Sequence, residues 1–137
     1  MMSVDLVRFL PDHILAIPCT QVGFQPMEPR TVVGDLGPAF TLLSDGRPAA
    51  AGGLIDLGGS RAMAWAWIGP CGPALFLRVH RLTLSVFEWS GFARIEAVVR
   101  RDWAKGHRWA RLLRMRLDSR PMSLPGGVAA SLYVREH

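Results

Sequence analysis

A chain of 137 residues, half of them hydrophobic, is the size of one ordinary domain and can bury roughly two thirds of its unfolded surface. No apolar run reaches the ~18 to 20 residues that span a bilayer, because Arg78, His80 and Arg81 interrupt the longest one, and Met1 to Phe9 lack the pattern of a secretory signal. Sixteen basic side chains against eleven acidic ones give a net charge of +5, which favours acidic partners such as nucleic acid or a phosphorylated cofactor. We therefore expect one domain over residues 1–137, cytoplasmic and with no membrane partner.

In chain order, Val4 to Phe9 reads as a short strand and Pro11 to Ile17 as a helical turn entered through Pro11 and Asp12. Residues 18–38, with proline at 18, 26, 29 and 38, read as an irregular connection long enough to be functional. Ala39 to Ser44 and Arg47 to Leu54 flank Asp45-Gly46, whose tolerance of positive φ suits a type I′ hairpin. After a turn at Gly58-Gly59-Ser60, the segment Arg61 to Ile68 alternates Met63, Trp65 and Trp67 with Ala62, Ala64 and Ala66. A strand apolar on both faces belongs in the middle of a covered sheet, and its alanine face lets a helix or a ligand approach closely. Trp65 and Trp67 are expected to share one side, in the core or along a cleft.

Gly69-Pro70-Cys71-Gly72-Pro73 leads into an amphipathic helix over 74–89. Leu75, Val79, Leu82 and Val86 form its apolar face, with Arg78, Arg81, Ser85 and Glu88 opposite, and it opens at Pro73 and closes at Gly91. Ala93 to Val99 reads as a strand. A second helix is expected from Ala104 to Leu117, gathering Trp109, Ala110, Leu113 and Leu117 on one stripe with Arg108, Arg111 and Arg114 outside it. Gly106 in its first turn allows a start as late as His107. Pro121 to Leu124, a Pro125-Gly126-Gly127 turn and Val128 to Val134 read as a closing hairpin. The chain is therefore α/β, ordered strand, short helix, three strands, helix, strand, helix, two strands.

That order resembles the GNAT superfamily of acyl-CoA-dependent N-acyltransferases over most of residues 3–135. The resemblance implies a single-domain, mixed, mostly antiparallel sheet with helices packed on it. In that superfamily the turn after the fourth strand carries Arg or Gln, two residues, Gly, one residue, then Gly or Ala. Here the turn from Gly69 to Ala74 matches at Gly72 and Ala74 and departs at Gly69. Free amide N–H groups at a helix N-terminus make an anion site for a pyrophosphate, and Pro70 and Pro73 remove two donors from it. The implied cofactor is acetyl-CoA or another acyl-CoA, held by Trp67, Ile68, Gly69, Cys71, Gly72, Ala74 and Leu75. The helix after the family's fifth strand is matched at Ala110, without the Asn that often begins it or the Gly-Phe that often ends it. The small size, the Trp-rich fourth strand, the stretch from Gly106 to Leu113 and the short tail are similar to acetyltransferase-like proteins encoded beside structural genes of tailed phages. That narrower resemblance implies a GNAT fold in which the catalytic motif need not survive.

Direct acyl transfer to an amine needs the thioester carbonyl held near a strand amide, a base or water chain for the amine, and often an acid for the departing thiolate. Glu96, mid-strand beside the cofactor strand, is either a base or a salt-bridged carboxylate. Asp56 ends the third strand, where turn chemistry also explains it. Tyr133, the only tyrosine, is a packing residue or a general acid. None of these stands out, so the catalytic residue is left unassigned. Cys71 lies beside a helix N-terminus, where a thiol can become nucleophilic, yet His13, His80 and His107 are scattered and none is placed as its base. His80 reads as a boundary histidine. Cys19 and Cys71 lack partners at metal-ligand spacing and read as reduced thiols, with no metal site.

Between Arg100 and Arg120, eight Arg or Lys stand against Asp102 and Asp118, interleaved with Trp103 and Trp109. This face is a solvated surface, a phosphate-binding surface for nucleic acid, or, within a GNAT fold, a contact for the phosphates of coenzyme A. Two functions stay open. One is an acyl-CoA-binding N-acetyltransferase with an unidentified amine acceptor. The other is a catalytically inactive phage-associated scaffold or assembly protein, virion-associated and contacting nucleic acid or a virion protein.

Overall fold

The computed structural model describes residues 3–17, 36–124 and 126–136; Cys19, Pro125 and most of the expected connection over 18–38 lie outside the described residues. The described strands are β1 (Val4–Arg8), β2 (Ala39–Ser44), β3 (Arg47–Gly58), β4 (Arg61–Ile68), β5 (Arg94–Arg100), β6 (Arg116–Leu124) and β7 (Val128–Glu136). The helices are α1 (Pro11–Ala16), α2 (Pro73–Trp89) and α3 (Ala104–Leu112). All the strands join one sheet in the order β1-β2-β3-β4-β5-β7-β6. Every neighbouring pair is antiparallel except β4 and β5, which are parallel and joined through α2.

The turns follow from their residues. Asp45 and Gly46 both take positive φ, 51° and 78°, as a two-residue type I′ loop requires. At the next hairpin Gly58, Gly59 and Ser60 all have positive φ, and the Asp56 carboxylate accepts the Gly58 N–H at 2.8 Å. Asp56 is thus a turn-closing residue.

Strand β4 lies in the middle of the sheet, and its alternation sorts the two cores. Ala62 and Ile68 face α2 in a core shared with Leu42, Leu54, Val79, Phe87, Ile95, Trp109 and Tyr133. Trp65 and Trp67 face the other way, towards α1. Trp65 meets Phe9 edge to face at 5.0 Å and packs with Ile14 and Ile17, while Trp67 Nε1 donates to the Ile17 carbonyl at 3.4 Å. Burial of one large apolar side chain is worth about 1.5–3 kcal/mol, so Trp65, which is buried, is a main tie between α1 and the sheet.

The second long helix ends earlier than its periodicity suggests. α3 stops at Leu112, and Leu117 lies in β6, 56% exposed, rather than on a buried helical stripe. The cause is Arg114, at φ 61°. The Met115 N–H donates to the Ala110 carbonyl and the Arg114 N–H to the Arg111 carbonyl, both at 3.0 Å. This is a Schellman cap with arginine in the left-handed position usually held by glycine. It turns the chain into β6, whose pairing with β7 runs from Arg116↔Val134 to Leu124↔Val128.

One feature of the sheet positions the site. The parallel strands pair only where Arg61–Met63 faces Arg94–Glu96. Beyond that, β4 continues along β3 to Ile68 while β5 continues along β7 to Arg100, leaving a wedge between their C-terminal halves. No described helix is long and apolar enough to cross a membrane.

Candidate cofactor cleft

The wedge exposes backbone. The Gly69 N–H donates to Ala49 of β3 at 3.0 Å. Because amides alternate in direction along a strand, those of Ala66 and Ile68 point the opposite way, into the wedge. The chain then turns into α2, with Gly72 as N-cap, carrying no capping side chain, and Pro73 in the first turn. The first intrahelical bond runs from the Phe76 N–H to the Gly72 carbonyl at 3.1 Å. The amides of Ala74 and Leu75 precede it and point out of the helix end, where the helix dipole is positive. A Cβ built on Gly72 would meet nothing within 4 Å, so the approach to these amides is open.

The opposite wall comes from α3. A cleft of about 340 Å³ runs between Ile68, Gly69, Cys71 and Gly72 on one side and Trp103, Lys105, Arg108 and Leu112 on the other. Its floor is an edge-to-face pair, Phe76 of α2 and Trp109 of α3, with centroids 5.4 Å apart. Trp103 reaches the cleft by lying over the first turn of α3, where Gly106 has no side chain to block it. Lys105 and Arg108 are exposed and form no ion pair with any described residue. An apolar floor, two cations and a helix N-terminus suit a ligand with an anionic head and a less polar body.

Of the residues expected from sequence to bind a cofactor, Ile68, Gly69, Cys71 and Gly72 line this cleft. The Trp67 side chain crosses to the α1 face, and Leu75 is buried in the core under α2. Ala74 and Leu75 present amides, not side chains, to the cleft end. Burial pushes the Cys71 thiol above its ordinary pKa despite the adjacent helix N-terminus, which argues against an activated nucleophile. Phe76 and Leu112 were not expected at the site, whereas Lys105, Arg108, Trp103 and Trp109 belong to the basic segment for which a coenzyme A contact was one of three readings. The glycine in the first turn of α3, three residues after Trp103, is the local signal for that ring's position.

The remaining candidates have structural partners. Glu96 is buried, held by Arg61 at 2.8 Å and Arg94 at 3.3 Å, so the salt-bridged reading is the one the geometry supports. The Tyr133 hydroxyl lies 2.9 Å from His107 Nδ1, and His107 Nε2 lies 3.0 and 3.1 Å from the carbonyls of Arg100 and Arg101. Those carbonyls can only accept, so Nε2 carries the proton and Nδ1 accepts from Tyr133. His13 Nδ1 accepts the Leu10 N–H at 3.1 Å and meets the buried Thr41 hydroxyl at 2.7 Å. His80 is half-buried on α2, and desolvation, with Arg81 nearby, lowers its pKa. In the basic segment, Arg100 pairs with Asp102, Arg120 with Asp118 and Arg116 with Glu136. No group of His, Cys, Asp or Glu among the described residues could hold a metal ion.

No protein-family model matches the chain, and no curated protein matches it in sequence. Solved structures do match in fold. An N-acetyltransferase from Staphylococcus aureus superposes with a TM-score of 0.74 at 6% identity, over 99% of this chain and 97% of that one. A ribosomal-protein-alanine N-acetyltransferase from Escherichia coli gives 0.71 at 17% identity, over 99% and 94%. The ribosomal alpha-N-protein acetyltransferase RimL, solved in complex with coenzyme A, gives 0.59 at 15% identity, over 74% of this chain and 63% of that one. The mixed sheet with its single parallel pair and packed helices is the GNAT fold. The three solved proteins just named are described as acetyltransferases.

Proposed function

We propose that the chain is an acyl-CoA-binding, N-acetyltransferase-like protein that acts as one unit over residues 1–137, with an amine as acceptor. The observation that carries this reading is a cleft with the start of α2, Gly72 and Pro73, on one wall and Lys105 and Arg108 on the other. Gly69, Cys71 and Gly72, with the amides of Ala74 and Leu75 as donors, would hold the pyrophosphate of the cofactor. Lys105 and Arg108, brought in from α3, supply the positive charge that Gly69 cannot. Ile68 and the end of β4 at Trp67, together with the inward amides of Ala66 and Ile68, align the acyl-bearing arm in the wedge. When bound, the acyl-CoA supplies an activated thioester carbonyl. The protein binds and orients it and excludes water with the Phe76–Trp109 floor. Burial raises the Cys71 thiol pKa and so gives no support to a covalent acyl-cysteine; under this reading transfer goes directly to the amine.

Calorimetric titration of acetyl-CoA at low salt tests the reading. The expected result is saturable binding that inorganic phosphate does not mimic, with amide resonances of residues 67–75 shifting on addition. Absence of heat together with an unchanged melting temperature would overturn it.

A further inference from the structure

A second cavity, of about 60 Å³, lies on the α2 side of the sheet. Its walls include Ala64 and Ala66 of β4, Val86 of α2, Ala97 of β5, and Trp109 and Leu113 of α3. The lining has one side-chain hydroxyl, Thr83, and that already donates to the Val79 carbonyl at 2.7 Å. The remaining walls are mostly apolar and the pocket is partly open, its α2 side being half-buried Leu82, Thr83 and Val86, so a hydrocarbon chain entering it takes apolar surface out of water. Trp109 lines both this cavity and the cleft. On β4, Ile68 borders the cleft and Ala66, two residues earlier, borders the cavity. The Ala66 amide points into the wedge, so an acyl group held at that amide starts beside the cavity.

We propose that this cavity receives the acyl chain of the bound thioester, so that the protein prefers an acyl group of about four carbons to acetyl. The proposal rests on the cleft binding acyl-CoA. A water occupies roughly 10–15 Å³ of cavity measured in this way, so the volume holds only a few chain atoms. Each buried methylene raises affinity about fourfold. Butyryl-CoA, with two more than acetyl-CoA, therefore binds about 15-fold more tightly. Longer chains gain nothing once the cavity is full.

The test is calorimetric titration with coenzyme A, acetyl-CoA, butyryl-CoA and octanoyl-CoA, repeated on Val86→Phe. Val86 faces the cavity from α2 and takes no part in holding the cofactor. The expected result is a ~15-fold preference for butyryl over acetyl in the native chain, with octanoyl no tighter than butyryl. In Val86→Phe the preference is lost while acetyl-CoA affinity is kept. Leu82→Phe, which fills the same cavity from the next turn of α2, replaces it if Val86→Phe melts below the assay temperature. Equal affinities for acetyl and butyryl in the native chain would overturn the acyl-chain assignment and leave the cofactor cleft intact. Failure of coenzyme A and all its thioesters to bind would overturn the cleft reading and this assignment with it.

Discussion

Gly106 lies under the ring of Trp103, so close that a Cβ added to the glycine would stand 2.6 Å from Cζ3. At an open helical site, Gly→Ala stabilises by about 1 kcal/mol. Here the ring must move, and because Trp103 lines the cleft its displacement reshapes the ligand site. We expect Gly106→Ala to lower stability by about 1–2 kcal/mol net and to weaken acetyl-CoA binding as well. Thermal denaturation and calorimetry on one sample check both; a stabilised variant with native affinity would contradict the packing argument.

Lys105 and Arg108 are assigned to the cofactor's phosphates as exposed cations, so their effects should be modest and salt-sensitive. Each alanine variant is expected to weaken acetyl-CoA binding by about 1 kcal/mol at low salt, roughly fivefold. The difference should shrink as the Debye length falls with added salt. Arg111→Ala, on the same helix but outside the cleft lining, serves as the control and should bind normally.

The His107–Tyr133 contact ties α3 to β7 and, through Arg100 and Arg101, to the end of β5. Tyr133→Phe leaves His107 Nδ1 without its donor in a partly buried position. A loss of about 1–2 kcal/mol is expected by urea denaturation. Nitrogen NMR of the native protein should show His107 with the proton on Nε2.

Arg114 holds a left-handed conformation that costs an L-residue roughly 1–2 kcal/mol. Glycine adopts it freely, at the expense of a more flexible unfolded chain. Arg114→Gly should therefore stabilise by about 0.5–1 kcal/mol, a melting shift of about 2–4 °C for a domain of this size.

His80 gives a pH dependence with a definite sign. Desolvation first, and the Arg81 charge second, lower its pKa from the ordinary 6.5. Its unfolded form therefore takes up a proton before its folded form does. Stability from this group is complete above about pH 6.5 and declines as pH falls from there to the depressed folded value. His80→Gln should flatten the part of the stability profile just below pH 6.5, measured by denaturant midpoints at half-unit steps.

Much of the fold is legible in local patterns. The Asp45-Gly46 hairpin follows from two residues that accept positive φ. The central position of β4 follows from a strand apolar on both faces, and its alternation places Trp65 and Trp67 on one side, which the structure shows to be the side of α1. The end of α3 was not legible. Trp109, Ala110, Leu113 and Leu117 fit a 3.6-residue period, and no glycine marks the stop at Arg114. The Pro125-Gly126-Gly127 turn marks the closing hairpin, but not the extension of β6 back to Arg116, where Arg116 and Leu117 pair with Val134 and Tyr133.

The candidate cleft divides the same way. Its first wall, from Ile68 to Gly72, is a turn and a helix start, and sequence alone marks such an element because proline, glycine and alanine there control which amides are free. The second wall is Trp103, Lys105, Arg108 and Leu112, whose spacing reads equally well as a solvated basic helix. Only the packing of α3 against α2, through Trp109 and Phe76, turns that helix towards the wedge. Local chemistry determined the elements and the amides at the start of α2. The side chains facing those amides depended on how distant elements pack, because burying an apolar stripe sets a helix's rotation and leaves no mark in the neighbouring sequence.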